Sequence, residues 1–251
     1  MEDNIKYDCR WSEDCDEKFI DDFNHVQDQV FQGEHSQETF RHQYIENPYG
    51  SSVIVVVYLN DKPVAARSLW RNDIGERESY QPGRTCVLEA CRGKGIFREM
   101  TLKAIAMLPQ DAIVYNFPNQ NSYPGYIKMG WHLLHDYNLR LMISTKDFFA
   151  EHPYSMDDAY ARWWVVGKAG IYHIRRGGHY FLVRHDHRPM FGKIVACVSE
   201  EIAKEFPKSS RRIFFYKSER QSFYSKYFMK SHVVCRNTDI GYIPTWKIDA
   251  I

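Results

Sequence analysis

The sequence lacks a hydrophobic run long enough to cross a lipid bilayer. Its longest clean apolar run, Val53–Leu59, is seven residues long, whereas a membrane-spanning helix needs about 20. The first residues, Met1–Lys6, also lack the basic and apolar regions of a secretory signal peptide. These absences favour a cytoplasmic protein that does not act at a membrane.

Paired cysteines and metal-binding motifs are missing as well. The six cysteines are scattered and none forms a C-x-x-C pair, so we expect reduced thiols in a cytosolic protein. Histidines cluster between His173 and His187 without an H-E-x-x-H motif or a cysteine pair. We therefore predict no metal site. This stretch is also locally basic, which leaves open a solvated face or a site for an acidic acceptor.

The chain has no excess of charge of either sign. It contains 33 Lys and Arg residues against 32 Asp and Glu residues, a formal net charge of +1. Such a balance implies no strong attraction to nucleic acids, and we expect no nucleic-acid partner. The length of 251 residues and the hydrophobic content of 44% are those of a folded protein with one large or two small domains.

The most informative stretch that is present is Thr85–Trp131. Its pattern predicts five elements in the order strand, turn, helix, strand and helix: Thr85–Ala90, Cys91–Gly95, Gly95–Leu108, Ala112–Asn116 and the segment around Tyr126. Pro109 ends the first of the two helices.

The predicted turn has the composition of an anion-binding site. Backbone N–H groups in the first turn of a helix have no partner inside the helix, and with the helix dipole they attract anions. Gly93 and Gly95 let a phosphate approach the backbone without an intervening Cβ, while Arg92 and Lys94 add positive charge. The alternative is a solvated turn in a purely structural strand–helix unit.

The residues before this stretch predict a compact α/β arrangement. We expect these elements in chain order: strand Ile5–Arg10, helix Asp14–Phe31, a helix capped by Ser36, strands Val53–Leu59 and Pro63–Arg71, and a loop over 72–84.

The residues after this stretch predict a second, smaller α/β half. We expect a strand or strand pair over Trp131–Ser144, a polar boundary over 145–158, and then these elements: helix Asp157–Trp164, a hairpin of Gly170–Arg175 and His179–Arg184, strand Phe191–Ser199, helix Glu200–Phe206 and strand Arg211–Tyr216. The predicted domains are residues 1–147 and 155–251. A faint repeat relates Glu38–Tyr44 to Asp158–Trp164, but the second copy has no equivalent of Arg92–Gly95.

Two motifs resemble the cofactor-binding core of the GNAT superfamily, the acyl-CoA-dependent N-acyltransferases. The first is Arg92-Gly-Lys-Gly95-Ile-Phe97, similar to (Arg/Gln)-x-x-Gly-x-(Gly/Ala), with Phe97 in the place of the final Gly or Ala. The second, residues 119–131, is similar to Asn-x-x-Ala-x-x-x-Tyr-x-x-x-Gly-(Phe/Trp), with Ser122 in the place of Ala. The resemblance covers roughly residues 1–145 and implies a mixed, mainly antiparallel sheet flanked by helices.

The resemblance also implies roles for individual residues. In the family an amine attacks the thioester of acyl-CoA, here expected to be acetyl-CoA. The residues implied in cofactor binding are Val87, Leu88, Arg92, Gly93, Lys94, Gly95, Ile96, Phe97 and Asn119. Val87 and Leu88 supply a backbone N–H to the thioester oxygen, Tyr126 protonates the departing thiolate, and Glu89 is the candidate general base.

Each role has a structural alternative. Tyr126 is either the acid or a core tyrosine, Glu89 either the base or an exposed charge, and Asn119 either a cofactor ligand or a helix N-cap. We therefore carry three hypotheses: an N-acyltransferase for a small-molecule amine, a GNAT-like CoA-binding or regulatory module without turnover, and a tandem-type transferase that uses an aminoacyl-tRNA donor. The intact Arg92–Gly95 turn favours CoA over the third. Whether the chain forms a homodimer stays open.

Overall fold

The apolar run Val53–Leu59 forms a strand of a mixed sheet in the computed structural model, which describes residues 4–31, 35–152, 155–166, 168–185, 187, 189–218, 231–236 and 243. The five side chains of Val53–Val57 are all fully buried. Because successive side chains of a strand point to opposite faces, both faces of the sheet are covered here. The chain divides into two compact units.

The first unit contains the described residues up to Asn116, Pro124–His132 and a short segment that begins at Cys235. Its sheet has the order β1-β2-β3-β4-β5, in which β1 to β4 are antiparallel neighbours and β5 is parallel to β4. The strands are β1 (Ile5–Trp11), β2 (Val53–Leu59), β3 (Lys62–Arg71), β4 (Ser79–Val87) and β5 (Ile113–Asn116). The predicted mixed, mainly antiparallel sheet with flanking helices is confirmed.

The helices that accompany these strands begin at polar caps or glycine. They are α1 (Glu17–Asp28), α2 (Gln37–Phe40), α3 (Ile96–Ala106) and α4 (Tyr123–Lys128). Asp16 caps α1 by accepting the N–H of Phe19 at 2.8 Å. Ser36 caps α2, as predicted, by accepting the N–H of Thr39.

Strand β4 carries one extra residue opposite β3. The register slips at Arg67, which faces both Arg84 and Thr85. Arg84 has a φ of 46°, in the left-handed region, and its carbonyl accepts a hydrogen bond from Gln27 Nε2 of α1 at 2.6 Å. This arrangement is a β-bulge, which bends the strand that contains it.

Strands β4 and β5 pair over a short length only. Ser79 faces Ile113 and Tyr80 faces Val114. Both strands lie entirely within the described residues, and no other residue of β4 pairs with β5. Among the described strands, the second half of β4 is therefore unpaired on this side, which we call its open edge.

The second unit contains Phe117–Tyr123 and the described residues from Leu133 to Val234. Its strands have the order β11-β6-β10-β9-β8-β7. They are β6 (His132–Leu141), β7 (Ile171–Arg176), β8 (His179–His185), β9 (Phe191–Val198), β10 (Ile213–Ser218) and β11 (Ser231–Cys235). The helices are α5 (Thr145–Glu151), α6 (Asp158–Val165) and α7 (Glu200–Lys204).

The second unit repeats an order of elements found in the first. Helices α5 and α6 precede three antiparallel strands, β7 to β9, and α7 then leads to β10, which is parallel to β9. The first unit has the same order from α1 and α2 through β2, β3 and β4 to α3 and β5.

Two predictions about elements are wrong. Residues 79–84 belong to β4 and not to a loop. The strand expected over Thr85–Ala90 ends at Val87. Helix α5, which lies in the segment expected as a polar boundary, and strand β11 were not anticipated. The domains predicted over 1–147 and 155–251 stay a prediction, and the two compact units have different bounds.

Candidate functional site

The predicted anion-binding turn lies between β4 and α3. Gly93 and Gly95 have φ angles of 80° and 76°, in the left-handed region that glycine adopts without strain. A Cβ placed on either residue would meet no atom within 4 Å, and Arg92–Gly95 is exposed. The turn therefore presents its backbone to open space.

Helix α3 begins at this turn without a side-chain cap. Gly95 is the N-cap residue; its carbonyl accepts the N–H groups of Arg98 at 3.0 Å and Glu99 at 3.1 Å, and it has no side chain to cap the donors before them. Arg92 folds back along β4, where its Nε donates to the Val87 carbonyl at 3.2 Å, and Lys94 is exposed. Uncapped helical donors beside two basic residues fit a pyrophosphate group.

The end of β4 presents one backbone amide to its open edge. The N–H of Leu88 donates to the Val64 carbonyl at 2.9 Å, so this amide is bonded to β3. Bonded and non-bonded pairs alternate along an antiparallel ladder, so the N–H of Val87, which faces Ala65, points away from β3. Of the two predicted donors to the thioester oxygen, Val87 is thus the one at the open edge.

Glu89, the candidate base, lies beyond the end of β4. It begins a short 3₁₀ turn, Glu89–Cys91, and its side chain is exposed. Its carbonyl accepts the N–H of Arg92 at 3.1 Å. The expectation that Glu89 lies on a strand is wrong, while its role as a base stays a prediction.

Phe97 departs from the family pattern, and its ring points away from the turn toward α4. It meets the Tyr126 ring edge to face at 5.7 Å. A Cβ on Gly125 would come within 3.0 Å of the Phe97 ring. The large side chain at position 97 therefore occupies space that a glycine in α4 leaves free.

Tyr126 is buried, with 1% of its surface exposed. Its hydroxyl oxygen accepts a hydrogen bond from Arg67 Nη2 at 2.8 Å, and the Asn116 side chain bonds the same group. Burial raises the pKa of the Tyr126 phenol, and the bonds from Arg67 and Asn116 act in the opposite direction. Tyr126 therefore lies in the core, as the structural alternative expected. Its role as an acid stays a prediction.

Arg67 is the residue of this region that the sequence analysis missed. It lies in the middle of β3, is fully buried, and reaches side chains of β4, α3 and α4. A signal was available, because the arginine is the charged residue inside the run Val64–Trp70, whose other side chains are small or apolar.

Asn119 has the geometry of a capping residue. Its Oδ1 accepts the N–H groups of Asn121 at 3.0 Å and of Ser122 at 2.9 Å. Its carbonyl accepts the N–H of Tyr123, the first residue of α4. Since α4 begins at Tyr123, Asn119 caps the turn that leads into the helix and is not the N-cap residue of α4 itself. The cofactor role stays a prediction.

The histidine-rich stretch forms parts of β7 and β8. His185 stacks on Tyr172 with ring centroids 3.7 Å apart, and it contacts Ser209 Oγ. Asp186 and Arg188 lie outside the described residues. In the described part of the chain, no group of three or more His, Cys, Asp or Glu side chains is placed to hold a metal ion. No helix there is both long and apolar enough to span a membrane.

Comparison with known proteins supports the fold. No protein-family model matches the chain, and no curated protein matches it. Solved structures do match. A protein of Enterococcus faecalis V583 named as a probable N-acyltransferase is 11% identical over 93% of this chain and 72% of its own, with a TM-score of 0.56. A GCN5-related N-acetyltransferase from Kribbella flavida is 12% identical over 93% and 71%, with a TM-score of 0.54.

A shorter match involves part of the chain. Escherichia coli ElaA is 18% identical over 53% of this chain and 91% of its own, with a TM-score of 0.42. The two longer matches show that the chain has the fold of the GNAT N-acetyltransferases, as the two motifs implied.

Proposed function

We propose that the protein is an acyl-CoA-dependent N-acyltransferase, with acetyl-CoA as the donor and a small-molecule amine as the acceptor. One observation carries the proposal. The exposed turn Arg92–Gly95 leads into the N-terminus of α3, which has no side-chain cap. The turn follows the second half of β4, which does not pair with β5. This arrangement supports a pyrophosphate bound at the turn and a thioester bound beside the end of β4.

The chemistry needs a donor for the thioester oxygen. When the amine attacks, negative charge grows on that oxygen, and a fixed N–H there stabilises the transition state more than the ground state. The Val87 N–H at the open edge is the candidate donor. Glu89, exposed at the start of the following turn, is the candidate for accepting the proton that the amine loses, directly or through water.

The second candidate is a GNAT-like module that binds CoA without turnover. Two observations favour it: the Tyr126 hydroxyl is buried, and the Glu89 side chain is exposed to solvent. In that case the Arg92–Gly95 turn would bind the pyrophosphate, and neither side chain would move a proton.

We also propose that the second unit is a degenerate copy of the first. The same order of helices and strands supports this. Its helix α7 is capped by Ser199, which accepts the N–H of Ile202, and begins with Glu200 and Glu201. A capped and acidic N-terminus is unsuited to a phosphate. A cytoplasmic location, the absence of nucleic-acid and membrane partners, and a homodimer remain proposals of the same kind.

Calorimetric titration with acetyl-CoA tests the function. Saturable binding is expected, and no heat at high micromolar concentration would remove both CoA-dependent candidates. Thiol release from acetyl-CoA across a panel of small amines then separates them. Amine-dependent release supports the transferase, whereas binding without release from any amine supports the binding module.

A further inference from the structure

Arg67 is a buried cation bonded to three neutral hydroxyl groups. Its Nε donates to Thr85 Oγ1 at 2.9 Å, its Nη1 to Thr101 Oγ1, and its Nη2 to the Tyr126 hydroxyl oxygen at 2.8 Å. The guanidinium also lies against the Phe97 ring, 4.8 Å from its centroid. Four side chains from β4, α3 and α4 therefore converge on one charge.

No described carboxylate balances this charge. Arg71, on the same strand, pairs with Asp73 and Glu78, whereas the described residues place only Tyr126 in electrostatic contact with Arg67. A guanidinium is protonated at any ordinary pH, and an unpaired buried charge is costly. Such a residue is expected to face an anion in some state of the protein.

The atom that can become that anion is the Tyr126 oxygen. It accepts a hydrogen bond from Arg67 and is bonded by the Asn116 side chain. The elements packed against it contribute Arg67 from β3, Asn116 from β5, Phe97 from α3 and, after α4, Trp131. Among these, Arg67 is the charged group. Because its oxygen accepts the hydrogen bond from Arg67, the O–H proton of Tyr126 is not used in that contact.

We propose that Arg67 is a positioning residue of the transferase, holding the Tyr126 hydroxyl and facing the phenolate that forms when Tyr126 protonates the departing thiolate. This inference rests on the proposed function. The C–S bond of the tetrahedral intermediate breaks with its electron pair on sulfur, and the Tyr126 O–H proton passes to that sulfur to give free CoA thiol. The phenolate regains a proton from solvent, which has received the proton lost by the amine.

The position of Arg67 ties this charge to the bulge in β4. Arg67 is the β3 residue that faces the bulge, and Thr85, which it bonds, is one of the two bulged residues. The Thr101 hydroxyl in turn donates a hydrogen bond to the Phe97 carbonyl in the first turn of α3. Arg67 thus joins the strand that presents Val87, the helix that starts at the turn, and Tyr126.

A titration that needs no turnover tests the coupling. The protein is labelled with 3-fluorotyrosine, and each ¹⁹F resonance is followed with pH; Tyr126→Phe assigns the resonance. In Arg67→Met we expect Tyr126 to ionise at a pH at least one unit higher than in the parent protein, because the phenolate has lost its cation. Arg98→Met removes an exposed arginine from α3 and should leave this midpoint unchanged. Equal midpoints in Arg67→Met and the parent would overturn the inference.

Kinetics then test the role in the reaction. With the amine that gives thiol release, Arg67→Met should lower kcat tenfold or more and change the KM for acetyl-CoA little, since a general acid contributes about 10²–10⁴-fold. In a Tyr126→Phe background the same change should have no further effect on kcat, because Arg67 acts through Tyr126. Additive losses would show a merely structural role.

The inference and the proposed function can fail separately. Acetyl-CoA that fails to bind the parent protein removes the function, whereas the titration still reports on the Arg67–Tyr126 pair. If Arg67→Met does not fold, Arg67→Lys keeps the charge and loses the forked donors. It should keep the Tyr126 midpoint within one pH unit of that of the parent, and a midpoint one unit or more above that of the parent would contradict the inference.

Discussion

Position 97 shows how one side chain can depart from a family pattern and still fit. The ring of Phe97 packs against Tyr126 and over the backbone of Gly125. The absence of a Cβ at 125 and the presence of a ring at 97 are therefore complementary.

This pairing predicts that Gly125→Ala destabilises the protein. In a helix that change normally stabilises by about 0.5–1 kcal/mol. Here the new Cβ would lie 3.0 Å from Phe97 Cε1, and we expect a net loss of about 1–2 kcal/mol from overpacking. Urea denaturation measures it. Phe97→Leu should rescue the variant, and an unaltered midpoint in Gly125→Ala alone would contradict the pairing.

Tyr126→Phe is expected to lower turnover more than CoA affinity. The ring and its contacts with Phe97 and Trp131 remain, while the proton for the leaving thiolate is lost. Removing the acceptor of Arg67 Nη2 should also cost about 1–3 kcal/mol of stability. Thiol-release kinetics with calorimetry measure both binding and kcat. Tyr123→Phe, in the same helix, is the matched control, and parental turnover in Tyr126→Phe would remove the acid role.

The sequence identified Tyr126 because a motif surrounds it, and missed Arg67 because no motif does. The spacing of a motif along the chain predicts which backbone groups lie at the turn. It does not predict that Thr85, Thr101 and Tyr126, far apart in sequence, converge on one guanidinium. The burial of Arg67 depends on tertiary packing of two helices and two strands, which local pattern does not contain.

At the scale of elements, the turn and α3 follow from local chemistry. Two glycines with positive φ and a helix that starts without a capping side chain are features of a single short segment, so the sequence predicts them. The path of β4 does not follow in that way. Pro82 and Gly83 suggested a loop, yet both lie in the strand.

Pro82 is tolerated in β4 because of the edge that its nitrogen faces. The N–H of Asn72 donates to the Ser79 carbonyl, so these two residues form a bonded pair. Bonded and non-bonded pairs alternate along the ladder, and Leu69–Pro82 is the third pair after this one, so it is non-bonded. The nitrogen of Pro82 therefore points away from β3, to the side where β5 no longer pairs, and no hydrogen bond is lost. Composition alone cannot reveal this register.

The turn predicts a loss of CoA affinity in Gly95→Glu. A carboxylate beside the pyrophosphate adds like charge, which at about 4 Å costs about 1–4 kcal/mol and hence about fivefold to several hundredfold in affinity. Any side chain at Gly95 also strains a left-handed backbone. Gly75→Glu places the same residue at another open glycine with φ of 60° and controls for strain and net charge. Calorimetry should show normal binding in the control, and normal binding in Gly95→Glu would move the cofactor site elsewhere.

At the scale of the whole molecule, the second unit keeps the order of elements and has different chemistry at the matching turn. Ser199 and two glutamates stand where the first unit has glycines and basic residues. The sequence showed a faint helical repeat and no equivalent of Arg92–Gly95 in the second half. It did not reveal β11 or the bounds of the two units, because these depend on segments distant in the chain that pack together.

Stability of the folded chain should fall in mild acid because of His152. Its ring stacks on Phe148 with centroids 4.4 Å apart, and its Nε2 lies 2.9 Å from the Lys217 carbonyl. Burial lowers the pKa of His152, so the unfolded chain binds a proton at higher pH than the folded chain. The free energy of unfolding is then at its full value above about pH 6.5 and decreases as the pH falls toward the folded-state pKa.

Denaturation at a series of pH values measures this effect. His152→Gln should flatten the decrease between about pH 6.5 and pH 5 by about 1.4 kcal/mol for each unit by which burial lowers the pKa. His25→Gln, on the exposed face of α1, is the matched control. A profile that is identical in His152→Gln and the parent protein would assign the acid sensitivity to other groups.

The bulge in β4 sets which backbone amide at the end of that strand faces the open edge. If every residue from Gly83 to Val87 paired one to one with β3, Val87 would face Val64 in a bonded pair and give its N–H to β3. The extra residue shifts the pairing by one, so that Val87 faces Ala65 and its N–H points away from β3. Loss of the codon for Arg84 would remove the bulge and its bend while leaving Val87 opposite Ala65. Such a deletion would therefore straighten the path of β4 without exchanging the amides at its end.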